Sequence, residues 1–288
     1  MKTIILSDVN SKSESIIPYG LRLGRALESE VDVLHIIDKR VHQGTYGSVS
    51  DSQSITPGET MSQDEILKRE KSRANLALDK KLSSEASRLN YPLKVNRVVK
   101  TNILEEELEK QAKENPNCIF VMSAEADNYM FDSTDDIVST VRDTGIAALL
   151  VPPEKKFKDF KNILLPVNFE SKEFNAFIDV KFLFENFTVL VDAVTVSSKS
   201  DYNDMELKAS AWKKVAKDHF LQPTTLKTNV LEGENFKDTV LGYTQKNEPD
   251  LILMFQKKEN PVKTIFKQNE LDVLLNKTNI PVLVYYHS

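Results

Sequence analysis

One loop of this sequence has the position of a ligand-binding loop but lacks the residues that hold phosphate. Residues 118–131 read CIFVMSAEADNYMF, in which the apolar run Cys118 to Met122 predicts a short buried strand. In an α/β protein, the loop beyond the carboxyl end of a strand is the usual place for a ligand. Phosphate-holding loops carry glycines there, because backbone N–H groups must approach the phosphate closely. This loop has none, so its residues leave open whether it holds a nucleotide, another ligand or nothing.

Residues with catalytic or metal-binding chemistry are few and widely separated. The four histidines are His35, His42, His219 and His287, and none lies at ligand spacing from another. His35 falls inside a predicted strand, which favours a core histidine. The only cysteine, Cys118, excludes an intrachain disulfide and favours a buried apolar role. The chain has no G-x-G-x-x-G, P-loop or G-x-S-x-G motif, so we expect no catalytic residue and no metal site.

A cluster of acidic and hydroxyl residues has a structural explanation. The cluster consists of Asp132, Ser133, Thr134, Asp135 and Asp136. It lacks the alternating oxygen ligands and the central glycine of a calcium loop. Side chains of these types at a helix start accept hydrogen bonds from unpaired N–H groups and interact well with the helix dipole. We therefore predict helix capping.

Lysines are concentrated in two places. The first group consists of Lys155, Lys156, Lys158 and Lys161, and the second of Lys257, Lys258, Lys263 and Lys267. Charge alone would let the second group attract an anion, but we expect both groups to be solvated. The net charge of the whole chain is −5, and this acidic balance argues against nucleic acid as the main partner.

The composition is that of a soluble globular protein. Of its residues, 40% are apolar and 28% are charged. The length of 288 residues is enough for one large domain or two of ordinary size. The apolar run near the N-terminus is too short for a signal peptide, and no stretch reaches the roughly 18 apolar residues of a membrane span. We expect a cytoplasmic protein that interacts with neither membrane nor nucleic acid.

The same order of elements occurs twice along the chain. TIILSDVN (3–10) and NILLPVNF (162–169) are apolar runs that break into a small polar loop. IAALLVPP (146–153) and IPVLVYYH (280–287) are apolar runs that close a segment. The repeat predicts a first domain over residues 1–153, a linker over 154–161 and a second domain over 162–288.

Strands alternate with helices in both copies. The predicted strands cover 3–6, 31–37, 93–99, 119–122 and 146–151, then 162–166, 188–196, 225–231, 250–255 and 281–286. The predicted helices cover 13–27, 63–89, 103–114 with Thr101 or Asn102 as its cap, and 134–142, then 172–185, 204–219, 234–246 and 269–277. This alternation indicates α/β architecture with parallel sheets covered by helices. A long polar loop, residues 38–62, occurs only in the first copy.

The element order and several strings resemble the universal stress protein family in a tandem two-domain form. The matching strings are SDVN (7–10), PVNF (166–169), VLHIID (33–38), CIFVMS (118–123), DLILMF (250–255), IAALLVPP and IPVLVYY. The resemblance implies two tandem doubly wound five-stranded parallel-sheet domains, like those of the adenine nucleotide alpha hydrolases. It also implies that strand five pairs the two domains as an internal pseudo-dimer.

The glycine signature of the family's ATP-binding members is missing from both copies. Its positions hold Ser123, Ala126, Thr134 and Asp135 in the first copy, and Phe255, Lys258, Gln268 and Asn269 in the second. A carboxylate beside phosphate oxygens is unfavourable, and a bulky Phe255 occupies a place where backbone must approach the ligand. The phosphate cradle is therefore expected to be lost in both halves.

The adenosine end of the family site is better matched in the first copy. The family's aspartate after strand one corresponds to Asp8, whereas the second copy has Asn168. Ile36 and Met122 match apolar positions near the adenine. The resemblance thus implies a degenerate nucleotide site made by Asp8, Ile36, Met122, Ser123 and Ala126. The alternative is that Asp8 only caps the helix that follows it.

These observations predict a stress-related regulatory protein that is not an enzyme and acts through a protein partner or a small ligand. No cofactor is expected, although ATP or another adenine nucleotide stays open, and a homodimer also fits. One alternative is a nucleotide sensor or slow ATPase that uses Asp8. Another is an ATP pyrophosphatase or an electron-transfer flavoprotein, disfavoured because SDVNSKSES (7–15) has no glycine. We further hypothesise that loop 38–62 closes over the first site or contacts a partner.

Overall fold

Ten strands form one continuous sheet in a computed structural model of the chain. The structure describes residues 1–9, 16–40, 62–89, 94–126, 130–217, 219, 224–257, 271, 274–275 and 277–287. The strands are β1 Lys2–Leu6, β2 Glu30–Asp38, β3 Val95–Asn102, β4 Cys118–Ser123, β5 Ala148–Val151, β6 Asn162–Pro166, β7 Leu190–Ser197, β8 Thr225–Glu232, β9 Leu251–Lys257 and β10 Val282–His287. Their order across the sheet is β3-β2-β1-β4-β5-β10-β9-β6-β7-β8.

Helices connect the strands and cover the sheet. They are α1 Ile16–Ala26, α2 Gln63–Ala86, α3 Leu104–Glu114, α4 Thr134–Thr144, α5 Ser171–Val180, α6 Tyr202–Lys217 and α7 Phe236–Asn247. A single 3₁₀ turn, Lys181–Leu183, follows α5 where the sequence predicted a longer helix. Among the described residues, no helix combines the length and the apolar character needed to cross a bilayer.

The first five strands and the last five have the same topology. Ile4 of β1 lies opposite Asp32 of β2, and Leu164 of β6 lies opposite Asp192 of β7 in the same parallel arrangement. We call residues 1–151 the first half and residues 162–287 the second half. Each half has the order expected of a doubly wound sheet, with a switch point beside its first strand. The predicted α/β class is confirmed, and the two predicted five-stranded sheets are joined into one.

An antiparallel strand pair joins the halves. Val282 and Leu283 of β10 lie opposite Leu150 and Leu149 of β5, and all four side chains are buried. The other neighbouring pairs in the sheet are parallel. Apolar edge strands need a partner for their unpaired N–H and C=O groups. The prediction that strand five mediates the pairing is confirmed.

Helix α1 packs unusually close to the sheet because of two glycines. A Cβ atom on Gly20 would collide with the side chain of Ile5, and one on Gly24 would collide with Val31. Both glycines are buried in α1. Trp212 and Cys118 are also in the core, and burial raises the pKa of the Cys118 thiol to about 11.

The predicted start of α3 is wrong in one respect. Neither Thr101 nor Asn102 caps this helix, because both belong to β3 and Ile103 occupies the N-cap position. The first helical N–H, that of Leu104, is instead bound by Asp38 Oδ2 at 3.2 Å. A distant carboxylate thus replaces the local cap. Most of the predicted loop 38–62 and of the predicted helix 269–277 lies outside the described residues.

Candidate functional site

A cavity of about 650 Å³ opens at the carboxyl ends of β1 and β2 in the first half. Asp8 and Val9 follow β1, and His35 to Asp38 end β2; these residues line one side. In the sheet β1 lies between β2 and β4, which is where the strand order reverses. Ligands of open α/β sheets bind outside the strand ends at such a switch point. The cavity is therefore the candidate site.

Helix α2 forms a wall of mixed polarity. Glu70, Arg73, Ala74 and Ala77 of this helix line the cavity. The two alanines and the partly buried Val9 provide small apolar surface next to the charged pair. The helix begins at a capping box in which the Ser62 hydroxyl accepts from Glu65 N–H at 3.3 Å. This cap helps fix the helix start, two turns before the cavity wall.

His35 lines the cavity as a neutral imidazole. Its Nδ1 lies 3.0 Å from the carbonyl oxygen of Ser7. Because a carbonyl can only accept, Nδ1 carries the proton and Nε2 is the acceptor nitrogen. Burial lowers the pKa of His35, and the bond to Ser7 and the charges of Asp8 and Glu70 offset only part of this effect. The expected core histidine is thus buried and also borders the cavity.

Arg40 links the end of β2 to the start of α3. Its Nη2 donates to Asp38 Oδ2 at 2.6 Å and to Glu105 Oε2 at 2.8 Å. Burial acts to raise the pKa of Asp38, but hydrogen bonds from Arg40 and from the Leu104 amide outweigh it, so this pKa lies below its ordinary value. Two carboxylates already occupy the Arg40 guanidinium, which reduces its capacity for a phosphate.

Carboxylates outnumber guanidinium groups around the cavity. Besides Arg40 and Arg73, the lining includes Asp8, Asp38, Glu70, Glu105, Asp132 and Asp136. Among the lining residues that the structure describes, six carboxylates against two guanidinium groups give an excess of four negative charges. A triphosphate entering it would be repelled, because like charges a few ångströms apart interact unfavourably unless water or counterions separate them. An uncharged or cationic group meets no such penalty.

The acidic cluster after β4 caps α4 as predicted. Ser133 is the N-cap residue, and its Oγ accepts from Asp136 N–H at 3.1 Å. The Asp136 carboxylate in turn accepts from Asp132 N–H at 3.2 Å. Among the residues that the structure describes, no group of three or more His, Cys, Asp or Glu side chains is placed to hold a metal ion.

The structure brings together only part of the predicted site. Asp8 and Ile36 both line the cavity. Met122 is buried in the core on the α3–α4 side of the sheet, and Ala126 packs against that core. Ser123 Oγ accepts from Glu125 N–H at 3.2 Å, a local turn bond. None of these last three is among the described lining residues.

Most charged residues of the cavity other than Asp8 were not predicted as site residues from the sequence. Asp38 ends the string VLHIID, which was noticed for its histidine and apolar residues. Arg40 lies in the predicted polar loop 38–62, and Glu105 lies in the predicted helix 103–114. Glu70 and Arg73 share a helix face with Ala74 and Ala77. Their common position depends on tertiary packing, which short sequence patterns do not reveal.

In the second half, a buried carboxylate binds the backbone donors that follow β6. Glu173 is buried, and its two carboxylate oxygens each lie 3.0 Å from Asn168 N. The same carboxylate accepts from Glu170 N–H at 2.8 Å. These backbone N–H groups follow β6 as Asp8 follows β1. An internal carboxylate therefore occupies donors that an anionic ligand would otherwise use.

Aromatic rings pack closely in the core next to β6 and β9. Phe169 has a φ of 60°, a left-handed conformation that is uncommon for a bulky residue, and its ring is 5.7 Å from that of Trp212. Phe255 packs on Phe177 and on Tyr285, each with a centroid distance of 6.4 Å. Phe255 is thus a core residue at the predicted first glycine position. The other three positions of that signature, 258, 268 and 269, lie outside the described residues.

Comparison with known proteins places the fold. No protein-family model matches this sequence, and the search of curated proteins also found no match. A universal stress protein structure from Archaeoglobus fulgidus DSM 4304 matches with a TM-score of 0.70 and 13% identity, over 100% of this chain and 98% of that one. A structure of a functionally unknown protein from Pseudomonas aeruginosa PAO1 matches with a TM-score of 0.56 and 13% identity, over 99% and 92% of the two chains.

The first of these matches spans both halves. At 13% identity it establishes the arrangement of helices and strands. That arrangement agrees with the motif resemblance found in the two halves of the sequence. The chain therefore has the fold of a universal stress protein structure over its whole length.

Proposed function

We propose that this chain is a stress-related regulatory protein whose first half binds a small ligand without a triphosphate. Adenosine is the ligand that we take as the working case. The proposed function includes no chemical step. It rests on the fold and on one observation, which is the excess of carboxylates around the first-half cavity.

The cavity offers the two kinds of surface that a nucleoside needs. Ile36 and Ile37 of β2, with Ala74 and Ala77 of α2, provide apolar contact for a planar base. Asp8 and Glu70 provide carboxylate oxygens, and His35 provides an acceptor nitrogen. Ribose hydroxyls and an exocyclic amine are donors that suit such acceptors. A phosphate chain suits them poorly, and Arg40 is already paired.

Thermal unfolding of the full chain with about 1 mM ligand tests this proposal. A ligand that binds only the native state stabilises it by about 2.7 kcal/mol when its concentration is 100 times Kd. We expect adenosine to raise the Tm by at least as much as AMP, and Mg-ATP to raise it less. Absence of a shift with all three would exclude an adenine ligand and leave protein partners as the explanation.

Two adjacent substitutions on α2 localise the binding. Ala77 lines the cavity, so Ala77→Phe should fill it and abolish the adenosine shift. Leu76 is 73% exposed, so Leu76→Phe adds a ring of the same size outside the cavity and should leave the shift intact. Equal shifts in the two variants would place the ligand elsewhere.

The alternative of a nucleotide sensor or slow ATPase is distinguished in the same experiment. It requires Mg-ATP to stabilise the protein more than adenosine does and Asp8→Ala to remove that effect. For the ATPase it also requires phosphate release above the rate without protein. The acidic lining and the paired Arg40 favour the phosphate-free ligand over this alternative.

A further inference from the structure

A second cavity, of about 490 Å³, lies where the two halves meet. One side is the segment after β5, with Lys155, Lys156 and Lys158. The opposite side is formed by residues 277–281 before β10, by residues 244–245 at the end of α7 and by residues 248–250 before β9. Tyr19 of α1 also lines it. The cavity is separate from the one at the ends of β1 and β2, and their described linings share no residue.

Aromatic anchors hold the lysine-bearing segment in place. The ring of Phe157 packs edge-on against Tyr19 with a centroid distance of 5.3 Å, and Phe160 packs on Phe187 at 5.3 Å. Phe157 and Phe160 are themselves 5.8 Å apart. The segment that looked like solvated linker is therefore fixed at two rings, and its lysines border a defined space.

Four ammonium groups border this space without an ion pair. They belong to Lys155, Lys156, Lys158 and Lys277. Within the described residues, none of the four lies within 4.0 Å of a carboxylate oxygen, whereas Lys2 on the same sheet pairs with Asp32 at 3.0 Å. Lys155 Nζ donates to the carbonyl oxygen of Asn279 at 2.5 Å, which directs this ammonium across the cavity.

Two carboxylates border the same space but do not neutralise it. Asp250 Oδ2 accepts from the N–H groups of Lys161 and Asn162 at 3.0 and 2.9 Å, at the start of β6. Glu248 is exposed to solvent. Within the described part of this lining, four ammonium groups against two carboxylates leave an excess of two positive charges. Burial, followed by the charge of Lys158, lowers the pKa of Lys155, and the charge of Asp250 offsets only part of this effect.

We propose that this junction cavity binds a small phosphoryl anion with two or more negative charges, such as a polyphosphate. Lysine is a compact point charge with three donors and is a common phosphate ligand. The volume falls within the range of small-molecule sites. Because the lining comes from α1, from the linker and from the second half, a bound anion would hold both halves together at their junction. The inference is independent of the adenosine proposal.

Calorimetric titration of the full chain with inorganic tripolyphosphate is the direct test. The titration is repeated with sodium chloride at matched ionic strength and with succinate, a dianion without phosphoryl groups. We expect saturable tripolyphosphate binding that weakens as salt rises, with little heat from succinate. Succinate binding as tight as tripolyphosphate would overturn the phosphoryl assignment. Absence of binding at millimolar tripolyphosphate would overturn the site.

A matched pair of double variants locates the binding. Lys158→Gln with Lys277→Gln removes two exposed ammonium groups and keeps the Lys155–Asn279 bond. Lys208→Gln with Lys213→Gln removes two exposed ammonium groups of α6 and changes the net charge equally. We expect the first pair to raise Kd at least tenfold and the second less than twofold. Equal effects would mean nonspecific attraction and would contradict the proposal. Stabilisation by adenosine shows whether both double variants are folded. If adenosine does not bind, the cooperativity of thermal unfolding serves as this check.

Discussion

Arg40 and Glu105 form a two-bond ion pair across 65 positions of sequence. Arg40 Nη1 lies 3.2 Å from Glu105 Oε1, and Nη2 lies 2.8 Å from Oε2. Bidentate geometry makes this the stronger kind of charge-assisted contact, although both side chains are partly exposed. The pair connects the end of β2 to α3. Because the Arg40 guanidinium already binds Glu105, it is less available to a ligand in the cavity. The pairing of Arg40 is one reason why we propose that the first-half cavity binds phosphate groups poorly.

Glu105→Gln should therefore improve binding of a monophosphate. The change removes one carboxylate from the cavity lining and frees part of the Arg40 guanidinium. We expect the Kd for AMP to fall by about two- to fivefold, which corresponds to at most about 1 kcal/mol at such an exposed position. The neighbouring Glu106 does not line the described cavity, so Glu106→Gln is the matched control and should leave the Kd unchanged. AMP affinity unaltered by Glu105→Gln would count against the role given to this pair.

Arg40 should also contribute stability that depends on pH. The pKa of Asp38 is lowered in the folded protein, so its contribution is present above the unfolded value of about 3.9 and is lost as pH falls through the folded pKa. Arg40→Gln should lower the Tm at pH 6, and the difference from wild type should shrink towards pH 3. The control is Lys39→Gln, an exposed cation one residue away. A Tm difference that is constant from pH 6 to pH 3 would contradict this assignment.

The lowered pKa of His35 predicts that stability also depends on pH in a higher range than it does through Asp38. Its folded-state pKa lies below the unfolded value of about 6.5, so protonation favours unfolding. Stability from the neutral ring is fully present above that value and decreases as pH falls. The free energy of unfolding should therefore fall less between pH 7 and pH 5 in His35→Gln than in the wild type. Urea denaturation at each pH measures this free energy, and an unchanged slope in His35→Gln would contradict the assignment.

The packing of α1 can be tested with two glycine-to-alanine changes. At Gly20 an added Cβ collides with Ile5, so Gly20→Ala should destabilise the fold by about 1–3 kcal/mol. At Gly242 in α7 an added Cβ meets nothing within 4 Å, so Gly242→Ala should stabilise by about 0.5–1 kcal/mol through helix propensity. Urea denaturation measures both. Similar effects at the two positions would show that close packing of α1 is not what Gly20 provides.

The sequence was most informative where a pattern is local. Continuous apolar runs predicted strands such as β2, and the family resemblance implied the pairing of β5 with β10. Asp8 and Ile36, which the family resemblance implied as site residues, both line the first-half cavity. Local reasoning failed for α3, where the N–H of Leu104 is bound by Asp38 rather than by a neighbouring side chain.

The candidate site was harder to predict because its charges come from distant segments. Arg40 meets Glu105 only after β2 and β3 pair in register and α3 turns back over them. The string CIFVMS does not show that the Ser123 hydroxyl accepts a local turn bond. Its sequence position alone therefore did not reveal that Ser123 is not among the described lining residues. The electrostatic sign of the cavity is thus a property of the fold and was not visible in the overall charge of −5.

The most direct test of the proposed ligand preference is the ratio of two dissociation constants, measured by calorimetry on the full chain. One is for adenosine and the other for Mg-ATP, at the same pH and ionic strength. The acidic lining of the first-half cavity predicts tighter binding of adenosine, with Ala77→Phe abolishing it and Leu76→Phe preserving it. Tighter binding of Mg-ATP, lost in Asp8→Ala, would show that the cavity holds phosphates despite its carboxylates and would contradict the account.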